Sequence, residues 1–326
     1  MENQKVLVTG GAGYIGSVLV GLLLEKGYKV RVLDRLMFGG ESLLNYFNNS
    51  NFEFIKGDVR NQSDIEKAMV GISAVAHLAA IVGDPACAKD EELTKSTNLK
   101  GAKLVYDIAN KNDVKQFVFS STCSNYGKME DSNSFVIETS KLAPVSLYAE
   151  TKVEFEKYLL NQDKNNICKP TVLRFSTVYG LSQRPRFDLT VNEFTKELAL
   201  GRELVIFGEQ FWRPYCHVVD LARAVIAVIE ADNIKVEFEV FNVGDTSENY
   251  TKGMLVEEIS KQIPSAKIKY VEKNEDPRDY RVNFDKIKNI LGYKITKTVP
   301  EGIAQIKQVV QNDFFNNPDD SKYKNI

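Results

Sequence analysis

Tyr148 and Lys152 stand four residues apart in the stretch YAETK, and on a helix side chains at that spacing share a face. A phenol with a pKa of about 10 is a poor base at neutral pH, but an ammonium beside it favours the phenolate. Such a group can take a proton from a hydroxyl while a hydride leaves the same carbon. Alone, the pattern is more often that of a half-buried tyrosine beside a surface lysine, and its context must decide.

A second stretch, VTGGAGYIGSVL from Val8 to Leu19, crowds its glycines together directly after the apolar run Lys5 to Val8. From Ser17 onward Val18, Leu19, Leu22, Leu23 and Leu24 recur at helical spacing as far as Gly27. Strand, glycine-rich turn and helix follow in order. Gly11, Gly13 and Gly16 fit the G-x-G-x-x-G fingerprint, in which a helix N-terminus aims free N–H groups at a pyrophosphate. Lys29 to Leu33 reads as the next strand, and Asp34 stands at its end. An acid there hydrogen-bonds the ribose hydroxyls of NAD and repels the extra phosphate of NADP. The expected cofactor is therefore NAD.

These residues need a sheet to position them. Phe52–Ile55, Ala74–Leu78, Gln116–Ser120 and Thr171–Arg174 read as strands, and 63–69, about 97–110 and about 149–160 as helices. The alternation predicts an α/β Rossmann-type fold with a doubly wound parallel sheet, whose strand ends carry the ligands. Regularity breaks after Gly180. Asp220 to Ala231 reads as another helix, and Val240 to Val243 as a strand returning to the main sheet. The expected division is a cofactor domain over 1–180 plus about 209–244, a smaller α/β substrate domain over about 181–208 and 245–310, and a solvated tail over 311–326.

Composition narrows the function. The chain has 326 residues, 43% of them hydrophobic and 26% charged, with a net charge of -2 and no basic stripe, so a large core is expected and nucleic acid is a poor partner. Cys87, Cys123, Cys168 and Cys216 are far apart and only two histidines occur. Neither a metal site nor a disulfide framework is expected, and free thiols fit a reducing cytoplasm. No apolar run reaches membrane-spanning length and MENQKVLVTG has no signal-peptide pattern.

The motifs together resemble the extended short-chain dehydrogenase/reductase family, specifically its NAD-dependent nucleotide-sugar epimerases and dehydratases. Besides TGGAGYIG and YAETK, the resemblance rests on GDVR at Gly57, HLAA at His77, STNLKG around Asn98, the loop FSSTCSNYG from Phe119, LRFSTVYG at Leu173, RPYCHVVDLARA at Arg213 and EDPRDYRV at Glu275. It implies that Thr122 partners Tyr148 in orienting the substrate oxygen and that Lys152 also holds the nicotinamide ribose. Asp58 and Val59 would meet the adenine. Gly10, Gly13, Tyr14, Ile15, Gly16, Asp34, Leu78, Ala79, Ala80 and Asn98 complete the implied cofactor set. Arg213 and Arg278 would clamp the diphosphate of a nucleotide-diphosphate sugar, with Thr177, Arg186 and Asn192 as further substrate residues. His77, inside a strand motif, is read as structural.

Two departures qualify the resemblance. The family's 4,6-dehydratases carry an Asp-Glu pair after the catalytic threonine, where this chain has Cys123 and Ser124, so dehydration is disfavoured. Thr177 replaces an asparagine that touches the diphosphate in many epimerases. The expectation is a cytoplasmic, homodimeric sugar 4-epimerase. The alternatives are a 4-dehydrogenase or reductase, for example on a GDP-heptose in bacterial surface polysaccharide synthesis, since IVGDPACAKD and RPRFDLTVN resemble that branch, and a non-catalytic NAD(H) sensor.

Overall fold

A computed structural model describes residues 4–129, 134–272 and 278–325; Glu275 to Pro277 of the EDPRDYRV stretch lie outside them. Strands β1 (Lys5–Thr9), β2 (Lys29–Asp34), β3 (Phe52–Lys56), β4 (Ala74–His77), β5 (Gln116–Thr122) and β6 (Lys169–Phe175) are followed by β7 (Thr177–Tyr179), β8 (Glu203–Phe207), β9 (Trp212–His217), β10 (Val240–Val243), β11 (Asn249–Thr251) and β12 (Lys267–Val271). The main sheet has seven parallel strands in the order β10-β6-β5-β4-β1-β2-β3. The expected doubly wound architecture is present, and Val240–Val243 does return to the sheet, pairing with β6.

Continuous apolar strands follow from burial on both faces. Alternate residues serve opposite layers: Val6 and Val8 pack on one side and Leu7 on the other, and Val118 opposes Phe117 and Phe119. Helices Tyr14–Glu25 and Val218–Glu230 cover the first face, while Gln62–Met69, Ala102–Lys111 and Leu147–Leu160 cover the second. The strand order reverses between β1 and β4, which opens a crevice at the carboxyl ends of the strands.

The expected helix over 97–110 is interrupted. Glu91–Lys95 is α-helical, Ser96–Gly101 is a π-type turn, and Ala102–Lys111 resumes the α-helix. A Cβ on Gly101 would stand 3.0 Å from the Val59 carbonyl, so the bulge sits where only glycine fits against that loop. Such bulges gather at functional sites.

A smaller lobe has its own core around Tyr179, Phe187, Leu204, Leu255, Val299 and Ile306. β9 pairs with β7 and β11 in a three-stranded sheet, and β8 pairs with β12. The end of the chain, expected to be solvated, lies against this lobe. Phe315 and Tyr323 pack on its core, the Phe187 N–H donates to the Tyr323 carbonyl, and Asp319 pairs with Lys196 and Arg202 at 2.7 Å. Polar composition concealed those aromatic anchors.

A buried ion pair ties the second helical layer to the sheet. Arg174 on β6 meets Glu156 at 2.8 Å, both almost wholly buried. Ser121 and Asn125 donate to the same carboxylate, and Arg174 also donates to the Tyr126 hydroxyl and the Glu138 carbonyl. Removing one partner of such a pair strands a buried charge. Glu156→Ala is therefore expected to destabilise the fold by about 3–5 kcal/mol. Urea unfolding would read this as a lower midpoint at unchanged slope; an unchanged midpoint would mean the pair adds no net stability.

Candidate active site

The glycine turn is shaped for a close approach. Gly10 has φ +74°, and a Cβ there would stand 2.8 Å from the Ala79 nitrogen. On Gly16 a Cβ would lie 2.1 Å from the Gly10 carbonyl oxygen. Gly13 caps helix Tyr14–Glu25 without any side chain, so the donors of the first turn face the crevice uncapped, as an anion requires. Both oxygens of Asp34 are engaged by this framework, accepting from Ala12 N at 3.0 Å and Leu36 N at 2.8 Å. Burial nevertheless raises its pKa, against those two hydrogen bonds.

One pocket gathers most of the residues singled out by sequence. Gly10, Gly13, Tyr14, Ile15, Gly16, Asp34, Asp58, Val59, Leu78, Ala79, Ala80, Thr122, Tyr148, Lys152 and Arg186 all line it. The donor set and the cradle free of side chains fit an NAD-type dinucleotide. Five others do not line that pocket. Asn98 sits behind the wall, accepting from Ile81 N at 2.7 Å and donating to the Ile81 carbonyl at 2.9 Å. Asn192 is buried under Arg186, bound to Gly180, the Arg186 carbonyl and the Tyr14 hydroxyl. Thr177 is spent in the β7–β9 pairing, while its neighbours Ser176 and Val178 reach the pocket. Arg213 stacks over Tyr280 at 5.3 Å, and Arg278 pairs with Asp84 at 2.9 Å. Both act electrostatically on the buried Tyr215 and Tyr280.

Tyr148 occupies the first turn of helix Leu147–Leu160, whose N-cap Ser146 accepts from Ala149 N. Tyr148, Lys152 and Glu156 succeed one another at four-residue intervals on one face. The Lys152 ammonium donates to the Ser120 carbonyl at 2.7 Å and lies 4.7 Å from the Phe119 ring centroid and 5.7 Å from that of Tyr148. Burial pulls it down to about 8, partly opposed by the charges at Cys87 and Glu156. Burial also pushes the Tyr148 phenol well above its ordinary value, an effect that Cys87 and Asp84 reinforce and Arg186 opposes. The phenol is thus a proton holder until more positive charge arrives.

Neighbouring groups have clearer roles. His77, held near 3 by burial with Lys152 adding to the effect, is neutral and shares a hydrogen bond of 2.8 Å with Thr9. Its structural reading agrees with this setting. Cys123 is buried, donates to the Arg174 carbonyl at 3.2 Å, and burial drives its thiol far above the usual range. Ser124 accepts from the Tyr280 hydroxyl at 3.4 Å. Neither is an acid/base group at neutral pH.

The pocket also contains residues the sequence did not single out: Arg35, Met37, Phe38, Ser176, Arg184 and Asn325. Arg35 follows Asp34 and lies 3.8 Å from Asp58. The R-P-R spacing around Arg186 could have pointed to Arg184. Nothing local could have pointed to Asn325. Among the described residues no group of acidic, cysteine or histidine side chains could hold a metal ion, and no helix is long and apolar enough to cross a membrane.

Residues 6–244 match the NAD dependent epimerase/dehydratase family. The chain is 29% identical to a UDP-glucose 4-epimerase of Lactobacillus helveticus, covering 89% of this chain and 92% of that one. It is also 29% identical to a dTDP-glucose 4,6-dehydratase of an Actinoplanes strain, covering 93% and 96%. Among solved structures, UDP-glucose 4-epimerase of Thermotoga maritima with UDP-glucose superposes with a TM-score of 0.83 at 30% identity, covering 96% and 100%.

The Asp34 carboxylate is the only acid that ends β2 inside the pocket. Asp34→Ala is expected to shift the preference for NAD over NADP by about tenfold, or roughly 1.4 kcal/mol, because Arg35 then faces the 2′-phosphate without a repelling charge. Parallel binding titrations of the two cofactors check this; an unchanged ratio would place the discriminating acid elsewhere.

Proposed function

Because the chain belongs to the NAD dependent epimerase/dehydratase family, we propose that it is a nucleotide-diphosphate sugar 4-epimerase acting through Thr122, Tyr148 and Lys152. The observation that carries this reading is the convergence of these three side chains on the wall of the pocket built by the glycine turn. NAD, which the glycine turn, Asp34 and Lys152 would hold, would supply a hydride acceptor and donor for carbon 4 and a positive charge that favours the Tyr148 phenolate.

The chain's own groups move the proton. Tyr148 Oη takes it from the sugar hydroxyl and gives it back to the inverted oxygen. Thr122 orients that oxygen, and its own oxygen is already fixed by the Ser124 N–H at 3.1 Å. Lys152 keeps its ammonium 5.7 Å from the Tyr148 ring centroid, and Arg186 adds positive charge from the smaller lobe. Arg213 and Arg278 suit the substrate diphosphate, which would compete with Asp84 for Arg278. The environments of Cys123 and Ser124 favour epimerisation over dehydration, because no acid/base pair follows Thr122.

Tyr148→Phe removes the proton carrier and should lower kcat by about a hundredfold or more while NAD stays bound. Wild-type turnover in that variant would end the tyrosine's role. With substrate deuterated at carbon 4, the inverted product should keep its label without free NADH accumulating. Transfer of the label to cofactor with a released 4-keto sugar would make the enzyme a 4-dehydrogenase, and a product lighter by one water would make it a dehydratase.

The pH profile tests Lys152 separately. Since burial holds its ammonium near 8, kcat/KM should fall as pH rises through that value, because the charge supporting the phenolate is lost. A profile flat through that range would assign the support to another group.

A further inference from the structure

Arg184 is a buried cation on the wall of the dinucleotide pocket. Only 6% of its surface is exposed, and a guanidinium is expensive to bury without an anion. Its terminal nitrogens are held by neutral oxygens: Nη1 donates to Asn325 Oδ1 at 2.5 Å and Nη2 to the Lys324 carbonyl at 3.0 Å. Its plane lies 4.1 Å from the Phe38 ring. The Nε–H is buried with no acceptor among the described residues. Asp188, the neighbouring acid, is occupied by Arg186 at 2.7 Å and by the Asn325 N–H at 3.0 Å. The group carries full charge at neutral pH, although burial and the nearby Arg186 pull it down to about 10.

Its place in the pocket is set by a second group of bonds. The Arg184 N–H donates to Ser182 Oγ at 3.2 Å, and Ser182 Oγ donates to the Tyr14 carbonyl at 2.6 Å and bonds Ser17 Oγ at 3.0 Å. Arg184 is thereby fastened to the first turn of helix Tyr14–Glu25. Phe38, which it covers, follows Asp34 in the chain. This is the half of the pocket between the uncapped helix end and the acid, where a dinucleotide's diphosphate and adenosine ribose belong.

We propose that Arg184 is a diphosphate-binding residue for the dinucleotide, and that the C-terminal segment, through Lys324 and Asn325, is a clasp that orients it and slows cofactor release. This rests on the dinucleotide reading of the pocket. A guanidinium on the pocket wall that is held only by neutral oxygens gains a charged acceptor when a phosphate enters, and charge-assisted bonds are about twice as strong as neutral ones. The clasp consists of backbone and amide oxygens, so it holds the guanidinium in place without neutralising it. That is the arrangement a phosphate site needs and an internal ion pair would defeat. Asn325 lines the pocket, and the segment before it is fastened by Asp319 and Tyr323.

The test uses full-length protein loaded with NADH. Release is followed by loss of bound-NADH fluorescence on dilution into ADP-ribose, and UDP binding is measured in parallel by calorimetry. Arg184→Gln should weaken NADH and ADP-ribose by about tenfold or more, the size expected for one charged hydrogen bond, and leave UDP affinity unchanged. Asn325→Ala, a change at the surface end of the clasp that leaves the core intact, should speed NADH release with a smaller loss of affinity. Wild-type NADH affinity and release in both variants would overturn the proposal. So would a loss confined to UDP, which would give Arg184 to the diphosphate of the sugar nucleotide instead. A parent protein that binds UDP but not NADH would instead overturn the dinucleotide reading itself, and the clasp with it.

Discussion

The carboxylate of Glu156 joins three parts of the molecule that the chemistry requires to be still. Through Arg174 it is bound to β6, through Ser121 to the end of β5, and through Asn125 to the turn after Thr122. Its own helix carries Lys152 one turn back and Tyr148 two turns back. Any tilt of that helix would change the distance from the phenol to Thr122. A long network continues the restraint: Arg174 holds the Tyr126 hydroxyl, which donates to Asn242 on β10. The donors gathered on the Glu156 carboxylate are what make a charge pair tolerable at this depth.

The second constraint is steric. The turn at Gly10 touches the loop after β4 so closely that the missing Cβ atoms are part of the packing. The same turn is fastened to the smaller lobe, where the Tyr14 hydroxyl donates to the Gly180 carbonyl at 2.5 Å and receives from Asn192. The glycine turn is thus also a point of attachment to the lobe that brings Arg184 and Arg186. Cofactor side and substrate side meet along one seam, and Asn192, which does not line the pocket itself, holds the seam together.

Burial sets the electrostatic tone of the site. It lowers the charge-bearing tendency of Lys152, keeps Tyr148 protonated and leaves His77 neutral. A site so dry magnifies each added charge, so a cationic ring or a diphosphate entering it changes the balance for every group at once. Cys123 shows the opposite case, a thiol so enclosed that it stays protonated and donates to the Arg174 carbonyl.

How much of this was legible depended on whether the signal was local. The glycine turn, the acid ending β2 and the Y-x-x-x-K pair are short-range patterns whose geometry is dictated by one strand–turn–helix unit or one helix, so the sequence determined their existence and the parallel sheet that joins them. The same is true of the alternation of apolar layers, since a buried strand needs apolar residues on both faces. Which residues then converge was decided by tertiary structure. Asn98 reads as a cofactor residue, yet a π-type turn directs its side chain to Ile81 behind the wall. Arg213 and Arg278 read as a clamp, and the tertiary structure sets their surroundings, Tyr280 for the one and Asp84 for the other. Asn325 carries no local signal at all: it reaches the pocket because Phe315 and Tyr323 anchor an otherwise polar tail, and only the packed lobe supplies the surface on which those rings can bury.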